Sequence, residues 1–389
     1  MDSTRILSVP SGGATDGQYA ALLEELGTVA GEFRFEVAPN PCVGAIVLSD
    51  GVEIGRGFHE RWGAAHAEIN ALAAAAKSGV ARERWDTLLV TLEPCSSTDK
   101  TGPCVEAILE AGIKRVVVGE LDPDFRHRGA GCKLLAERGV EVVLMNGPAR
   151  LARVAPHFLR WTDPDRIRRR RPWVIAKWAQ TRSGQLSPPA GVGDGRWISG
   201  PLAQACVQVL RGRVDAIISG SGTVLADDPR FSVRLPGDLA NPPARVILDS
   251  ELRTPPEARL FAAVGEDESA GPVKIVTRLG AATVFRRQLE EAGASIYEFR
   301  SGDDGKPSLL AIMEWLWDTG ARRVLLEAGP KLVQAFFAAE LIDQLCVYTG
   351  DVLGGRGDNL GKCLDPRFLS QARHGEIGED GLLDAFFVR

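Results

Sequence analysis

Alternation of strands and helices runs twice along this chain and lapses once between, and that interruption limits the fold more than any single motif does. Residues 18–31 read as a helix, and Val43–Leu48 is a continuous apolar run suited to a buried strand. The tip Asp50-Gly51 turns it into a second strand over Glu53–Phe58. An Ala-rich helix over 65–77 follows, then strands at Thr87–Leu92, Val116–Gly119 and Val140–Leu144, separated by helices over 103–111 and 128–138. Between about 146 and 172 the pattern gives way to Asn146-Gly147-Pro148, Asp163-Pro164 and a run of arginines. After Pro172 a second series begins. Its strands are expected at Trp173–Ala179, Asp215–Ser219, Arg245–Asp249, Val273–Thr277, Arg323–Glu327, Gln344–Thr349 and Ala385–Val388, and its helices over 201–211, 282–292, 308–318 and 331–340. Such alternation builds layered α/β sheets. The 389 residues are too many for one core, so two α/β domains are expected, 1–150 and 173–389, joined by a linker at 151–172.

Composition excludes several functions. The formal net charge is −5, which leaves no global basic field to hold nucleic acid. The one dense basic run, Arg166-Ile167-Arg168-Arg169-Arg170-Arg171, reads as solvated linker. The N-terminal residues MDSTRILSVPSGG lack the apolar core of a signal peptide, and no stretch of about 18 apolar residues suggests a membrane span. The seven cysteines are odd in number and scattered, which argues for a reducing, cytoplasmic setting over a disulfide framework.

The sharpest chemistry lies in the first series. His66-Ala67-Glu68 opens the helix over 65–77, Pro94-Cys95 follows the strand Thr87–Leu92, and Cys104 begins the next helix. One imidazole and two thiolates suit Zn2+, and three protein ligands leave the fourth tetrahedral position for water. Glu68 stands two residues from the ligand histidine, where it can move a proton between that water and a leaving amine without binding the metal. This is the pattern of hydrolytic zinc deaminases, with one departure. The two cysteines bracket eight residues, Ser96 to Pro103, where two are usual, and the composition of that insertion is loop-like. Cys42, Cys132, Cys206, Cys346 and Cys363 read as core residues. His59, His157 and His374 read as incidental, and His127 lies in a Gly/Arg-rich loop that could face a substrate.

Three stretches together resemble the deaminase half of the bifunctional riboflavin-biosynthesis deaminase/reductase family: Pro39-Asn40-Pro41-Cys42-Val43-Gly44-Ala45, His66-Ala67-Glu68-Ile69-Asn70-Ala71-Leu72 and Thr91-Leu92-Glu93-Pro94-Cys95. The second series resembles the reductase half through Lys177-Trp178-Ala179-Gln180-Thr181, Arg196-Trp197-Ile198-Ser199, Thr223-Val224-Leu225-Ala226-Asp227-Asp228-Pro229-Arg230-Phe231, Leu248-Asp249-Ser250, Glu327-Ala328-Gly329-Pro330 and Leu353-Gly354-Gly355. The resemblance implies a cytidine-deaminase-like α/β/α layered domain followed by a dihydrofolate-reductase-like α/β reductase domain. It implies Zn2+ and NADPH as cofactors. The small-molecule substrate would be a ribosylaminopyrimidine phosphate, first deaminated and then reduced from ribosyl to ribityl. It also implies a homodimer through the reductase sheet, with no nucleic acid and no membrane.

Site residues carry over position by position. Asn40 would contact the pyrimidine edge. Gly195, Arg211, Phe231, Arg234 and Glu327 would contact substrate, the arginines suiting its phosphate because their planar fork pairs bidentately with phosphate oxygens. Ala179, Trp197, Thr223, Asp227 and Ser250 would contact the cofactor, with Asp227 at the reductase centre. Gly329, Pro330, Lys331, Leu332, Val333, Gln334 and Ala335 would cradle the pyrophosphate where a helix begins, a natural anion site. The usual G-x-G-x-x-G fingerprint is absent. Ser183 stands where the family usually has an acid, Gly195 where it often has Ser, and Lys331 where a small residue is usual. The Ser96–Pro103 loop also departs from the family's. These departures keep open a paralogue acting on a related nucleotide-type pyrimidine in a side pathway. A nucleic-acid-editing deaminase is disfavoured by the acidic balance and by the lack of interleaved basic and aromatic residues.

Overall fold

A computed structural model describes residues 6–8, 14–97, 102–145, 150–163, 170–189, 198–235, 241–262, 270–281, 285–302 and 304–388. Gly195, Trp197, residues 98–101 of the cysteine-flanked loop and most of the arginine run lie outside the described residues. The chain divides into two compact units, Met1–Arg168 and Arg169–Arg389.

The first unit is a six-stranded sheet of β1 (Ile6–Ser8), β2 (Gly44–Ser49), β3 (Val52–Phe58), β4 (Thr87–Leu92), β5 (Arg115–Glu120) and β6 (Glu141–Leu144), in the order β1-β6-β5-β4-β2-β3. β1, β6, β5 and β4 run parallel, while β2 is antiparallel to both β4 and β3. The helices are α1 (Ala14–Ala30), α2 (Arg34–Val37), α3 (Ala67–Ala76), α4 (Cys104–Ala111) and α5 (Ala130–Glu137), followed by α6 (Arg150–Val154) and α7 (Pro156–Trp161). Every residue of β2 and β4 is buried, as expected of strands covered on both faces. The stretch expected as linker therefore contains two helices, and Ala155 and Phe158 join the first unit's core. β1 was not expected from its three residues.

The seat of α3 explains two glycines. Ala67, Ala71 and Ala75 recur every four residues on one helix face, all buried. They press on β3 at Gly55 and Gly57, where a Cβ would come within 2.4 Å of the Ala75 amide nitrogen and 2.3 Å of the Ala71 amide nitrogen. Backbone meets backbone there, and this contact sets where α3 begins.

The second unit has a nine-stranded mixed sheet. Its strands are β7 (Trp173–Gln180), β9 (Ala216–Gly220), β10 (Ala244–Leu248), β11 (Val273–Arg278), β12 (Ala294–Phe299), β13 (Arg323–Leu326), β14 (Gln344–Thr349), β16 (Leu369–Ile377) and β17 (Asp380–Phe387), with β8 (Gln185–Ser187) and β15 (Arg356–Asn359) forming a separate pair. The order is β12-β11-β10-β9-β13-β7-β14-β17-β16, parallel from β12 through β14 and antiparallel beyond. β12, β16, the greater length of β17 and the short helix Ser221–Asp227 were not expected. The first two are edge strands whose alternating polar faces lack the continuous apolar run of a central strand. From β9 the chain moves outward to β10, whereas from β13 it moves the other way, to β14 beyond β7. In open α/β sheets such a reversal marks the ligand crevice outside the carboxyl ends of the flanking strands, here β9 and β13.

Candidate functional site

In the first unit the structure brings His66, Cys95 and Cys104 together, with one ligand atom from each lying within 4.8 Å of the others. His66 caps α3 in extended conformation, Cys95 follows β4, and Cys104 opens α4. His66 Nδ1 is 3.6 Å from Cys95 Sγ and 3.3 Å from Cys104 Sγ. A tetrahedral zinc with ordinary Zn–N and Zn–S bonds would hold such atoms about 3.6 Å apart. The donor set and its spacing thus fit zinc. The Cys104 amide donates to Cys95 Sγ at 3.3 Å. That amide, the Cys104 thiol and His66 favour a thiolate at Cys95, while Cys104 is held protonated by its partner and by burial.

Glu68 lies in the first turn of α3 with only 3% of its surface exposed. Burial pushes its carboxyl up to about 7, opposed by the nearby His66. A carboxyl poised there can both accept and return a proton near neutral pH.

Three further residues organise this centre. His59 packs edge-on against His66, ring centroids 5.2 Å apart. Its Nδ1 donates to the Ala65 carbonyl at 3.2 Å, which leaves Nε2 to accept from Asn40 Nδ2 at 3.3 Å. Burial holds the ring neutral, down at about 4. His157 Nε2 bonds the Asn40 carbonyl at 3.0 Å, so Asn40 is fixed at side chain and main chain alike. Glu93, immediately before Pro94-Cys95, takes four main-chain N–H groups: Asp122 and Gly129 on Oε2, Gly131 and Cys132 on Oε1. It ties the metal loop to the loop that carries His127 and to the start of α5. Sequence reading set both histidines aside as incidental and gave Glu93 no role, because the contacts that hold Asn40 and the 122–132 segment reach across 19 to 117 residues.

In the second unit Thr223 and Gly329 meet across the crevice, the Gly329 amide donating to Thr223 Oγ1 at 3.1 Å. The helix Pro330–Ala338 starts there, with proline in its first turn. Lys331, Gln334 and Ala335 are exposed along it, whereas Val333 is buried in the core. Arg211 ends the helix Pro201–Arg211 and grips Glu327 bidentately, and its Nη1 donates to the Ser232 carbonyl at 3.2 Å. Three of its five N–H donors are thereby committed among the described residues. Its guanidinium carbon is 5.7 Å from the centroid of the Phe231 ring, which is buried. Burial alone would raise Glu327, but Arg211, with Lys177 on β7, holds it down at about 2. Lys177 was quoted within a motif without a role, and this electrostatic contact is what singles it out.

Asp227 is exposed at the end of the helix Ser221–Asp227, which Asp228 terminates in left-handed conformation at φ 43°. Ser250 follows β10, and its carbonyl accepts from Thr277 Oγ1 at 3.1 Å. Ala179 is half-buried near the end of β7, and Arg234 is exposed, its amide held by Gln208 Oε1 at 2.9 Å.

The family profile for the cytidine and deoxycytidylate deaminase zinc-binding region matches residues 19–120, and that for the RibD C-terminal domain matches residues 172–380. The riboflavin biosynthesis protein RibD of Aquifex aeolicus is 31% identical over 324 residues, covering 83% of this chain and 84% of that protein. RibD of Chlamydia trachomatis is 33% identical over 353 residues, covering 90% and 89%. Among solved structures, Acinetobacter baumannii RibD superposes with a TM-score of 0.64 at 27% identity, covering 96% of this chain and 100% of that one. A diaminohydroxyphosphoribosylaminopyrimidine deaminase/5-amino-6-(5-phosphoribosylamino)uracil reductase from Thermotoga maritima gives 0.60 at 28% identity, covering 96% and 99%. With a zinc-deaminase centre in its first unit and a RibD C-terminal domain as its second, the chain belongs to the RibD family of riboflavin biosynthesis proteins, bifunctional enzymes that join a deaminase to a reductase.

Proposed function

We propose that this enzyme deaminates 2,5-diamino-6-(5-phosphoribosylamino)pyrimidin-4-one within residues 1–150 and then reduces the product's ribosyl chain to ribityl, with NADPH, within residues 173–389. The observation that carries the first step is the His66, Cys95 and Cys104 cluster with Glu68 buried beside it. His66, Cys95 and Cys104 would hold zinc, which would supply Lewis acidity to the attacking water. Asn40, its amide nitrogen committed to His59, presents its carbonyl oxygen to the amino edge of the ring. Glu68 takes the proton of the attacking water and delivers it to the departing amine, so that ring amine and water become ring carbonyl and ammonia.

For the second step, the crevice residues fit a dinucleotide. Thr223, Ser250 and the exposed Lys331 are hydrogen-bonding or cationic groups at strand ends and at a helix start, and Gly329 keeps the approach to that helix free of a side chain. NADPH supplies the hydride. Lys177, Glu327 and Arg211 hold the sugar, Arg234 its phosphate, and Asp227 serves the reacting carbon. Seven free thiols support a cytoplasmic, reducing setting. Among the described residues no helix is long and apolar enough to cross a membrane.

Two substitutions test the division of labour. Glu68→Gln should abolish ammonia release while zinc content and NADPH oxidation on deaminated substrate persist. Asp227→Asn should do the reverse. Equal loss of both activities in either variant would refute two independent centres.

A further inference from the structure

At the turn after β10 the structure buries an acid and exposes an arginine. Leu248-Asp249-Ser250 puts an acid just past a parallel strand beside the topological reversal, where doubly wound folds use an acid to select a free 2′-hydroxyl. In the structure that acid faces inward. Asp249 is 1% exposed, and its Oδ2 accepts from both the amide and the hydroxyl of Thr254 at 2.7 Å. Leu252, at φ 54° and buried, holds the turn in a left-handed conformation that a leucine adopts only under constraint. What the turn shows outward is Arg253. It is exposed, and its Nη2 lies 3.4 Å from Ser221 Oγ, just past β9. Among the described residues its side chain has no ion-pair partner, because the neighbouring Glu251 is taken by Arg278 through two contacts of 2.8 and 2.9 Å.

We infer that Arg253 binds the 2′-phosphate on the adenosine ribose of the dinucleotide and thereby selects NADPH over NADH. This rests on the reading of the crevice as a dinucleotide site. From Ala179 at the end of β7, across β13 and β9 to the turn after β10, is three interstrand steps, about 14 Å. With the pyrophosphate at Gly329 and the nicotinamide toward β7, the adenosine arm runs outward over β9 to Ser221, Ser250 and Arg253. The guanidinium fork pairs with a phosphate dianion, and the Ser221 hydroxyl lies 3.4 Å from the guanidinium Nη2. NADH offers only a neutral hydroxyl there, which gives Arg253 nothing to exchange for its hydration. Asp249 does not face the ribose, because its carboxylate is buried, with Oδ2 accepting twice from Thr254.

Equilibrium binding to the zinc-loaded full chain tests this, titrating NADPH, NADH, 2′,5′-ADP and 5′-ADP without substrate. The wild type should bind NADPH at least tenfold more tightly than NADH, and 2′,5′-ADP should compete where 5′-ADP does not. Arg253→Gln should weaken NADPH to the level of NADH while leaving NADH affinity and ammonia release unchanged. Arg287→Gln, at an exposed arginine paired with Glu291 away from this turn, should keep the preference. A preference that survives Arg253→Gln, or that is lost in Arg287→Gln instead, overturns the assignment. Equal wild-type affinity for the two dinucleotides overturns it too while leaving a dinucleotide site standing. A wild type that binds neither refutes the crevice reading itself.

Discussion

Arg211 and Glu327 form a bidentate ion pair, Nε to Oε1 at 2.7 Å and Nη2 to Oε2 at 2.8 Å, that joins the end of the helix Pro201–Arg211 to the residue after β13. Both side chains are nearly buried, so the pair shapes the crevice and also makes the second unit sensitive to acid. Removing one partner of a buried pair strands the other charge, at a cost of about 3–5 kcal/mol.

Glu327 is held at about 2, below the value of a carboxylate in an unfolded chain. Its contribution to stability is complete above about pH 4.5 and disappears as pH falls toward 2. Denaturant midpoints of the second unit should fall across that window. Glu327→Gln should lower stability at neutral pH and flatten the decline, and a variant with the wild-type slope would show that other carboxylates dominate.

Gly57→Ala should damage the first unit. The added methyl would lie 2.3 Å from the Ala71 nitrogen and 2.6 Å from the Ala67 carbonyl oxygen, both main-chain atoms that cannot swing away. Overpacking of this kind costs about 1–3 kcal/mol. The shift of α3 moves His66 and Glu68, so ammonia release should fall at least tenfold while NADPH oxidation on deaminated substrate is kept. Wild-type deamination in this variant would contradict the contact.

Glu93→Ala should loosen zinc. Four N–H groups lose their acceptor, and the loop carrying Cys95 loses its tie to Gly131 and Cys132. Zinc content after dialysis against a weak chelator should drop relative to wild type, with Glu93→Gln intermediate. Unchanged zinc retention would confine Glu93 to stabilising the 121–132 loop.

Zinc removal should silence deamination alone. Readdition should restore it with release of protons, since the Cys104 thiol must ionise to ligate. Loss of NADPH oxidation on chelation, with the second unit still folded, would contradict two separate centres.

The metal ligands were legible because few residue types bind zinc and each stands at an element end. Element positions read well wherever apolar periodicity was strong: β4, β14 and the helix Pro201–Arg211 have the expected bounds. Periodicity failed at β12 and β16, whose outer faces meet solvent, and at Ser221–Asp227, too short for a helical stripe. Roles that depend on a distant partner were not legible at all. Gly57 matters through α3, His59 through Asn40, and Asp249 through a turn that folds its carboxylate inward. The commitment of Arg211 to Glu327 likewise becomes visible only when a helix end and a strand end are brought together.

The most direct test supplies the zinc-loaded enzyme with 2,5-diamino-6-(5-phosphoribosylamino)pyrimidin-4-one and follows ammonia and NADPH separately. Ammonia should appear without NADPH. NADPH should then be consumed in equal amount, and only after ammonia has formed. Failure to release ammonia from a folded, zinc-loaded sample, or NADPH oxidation that precedes deamination, would contradict the account.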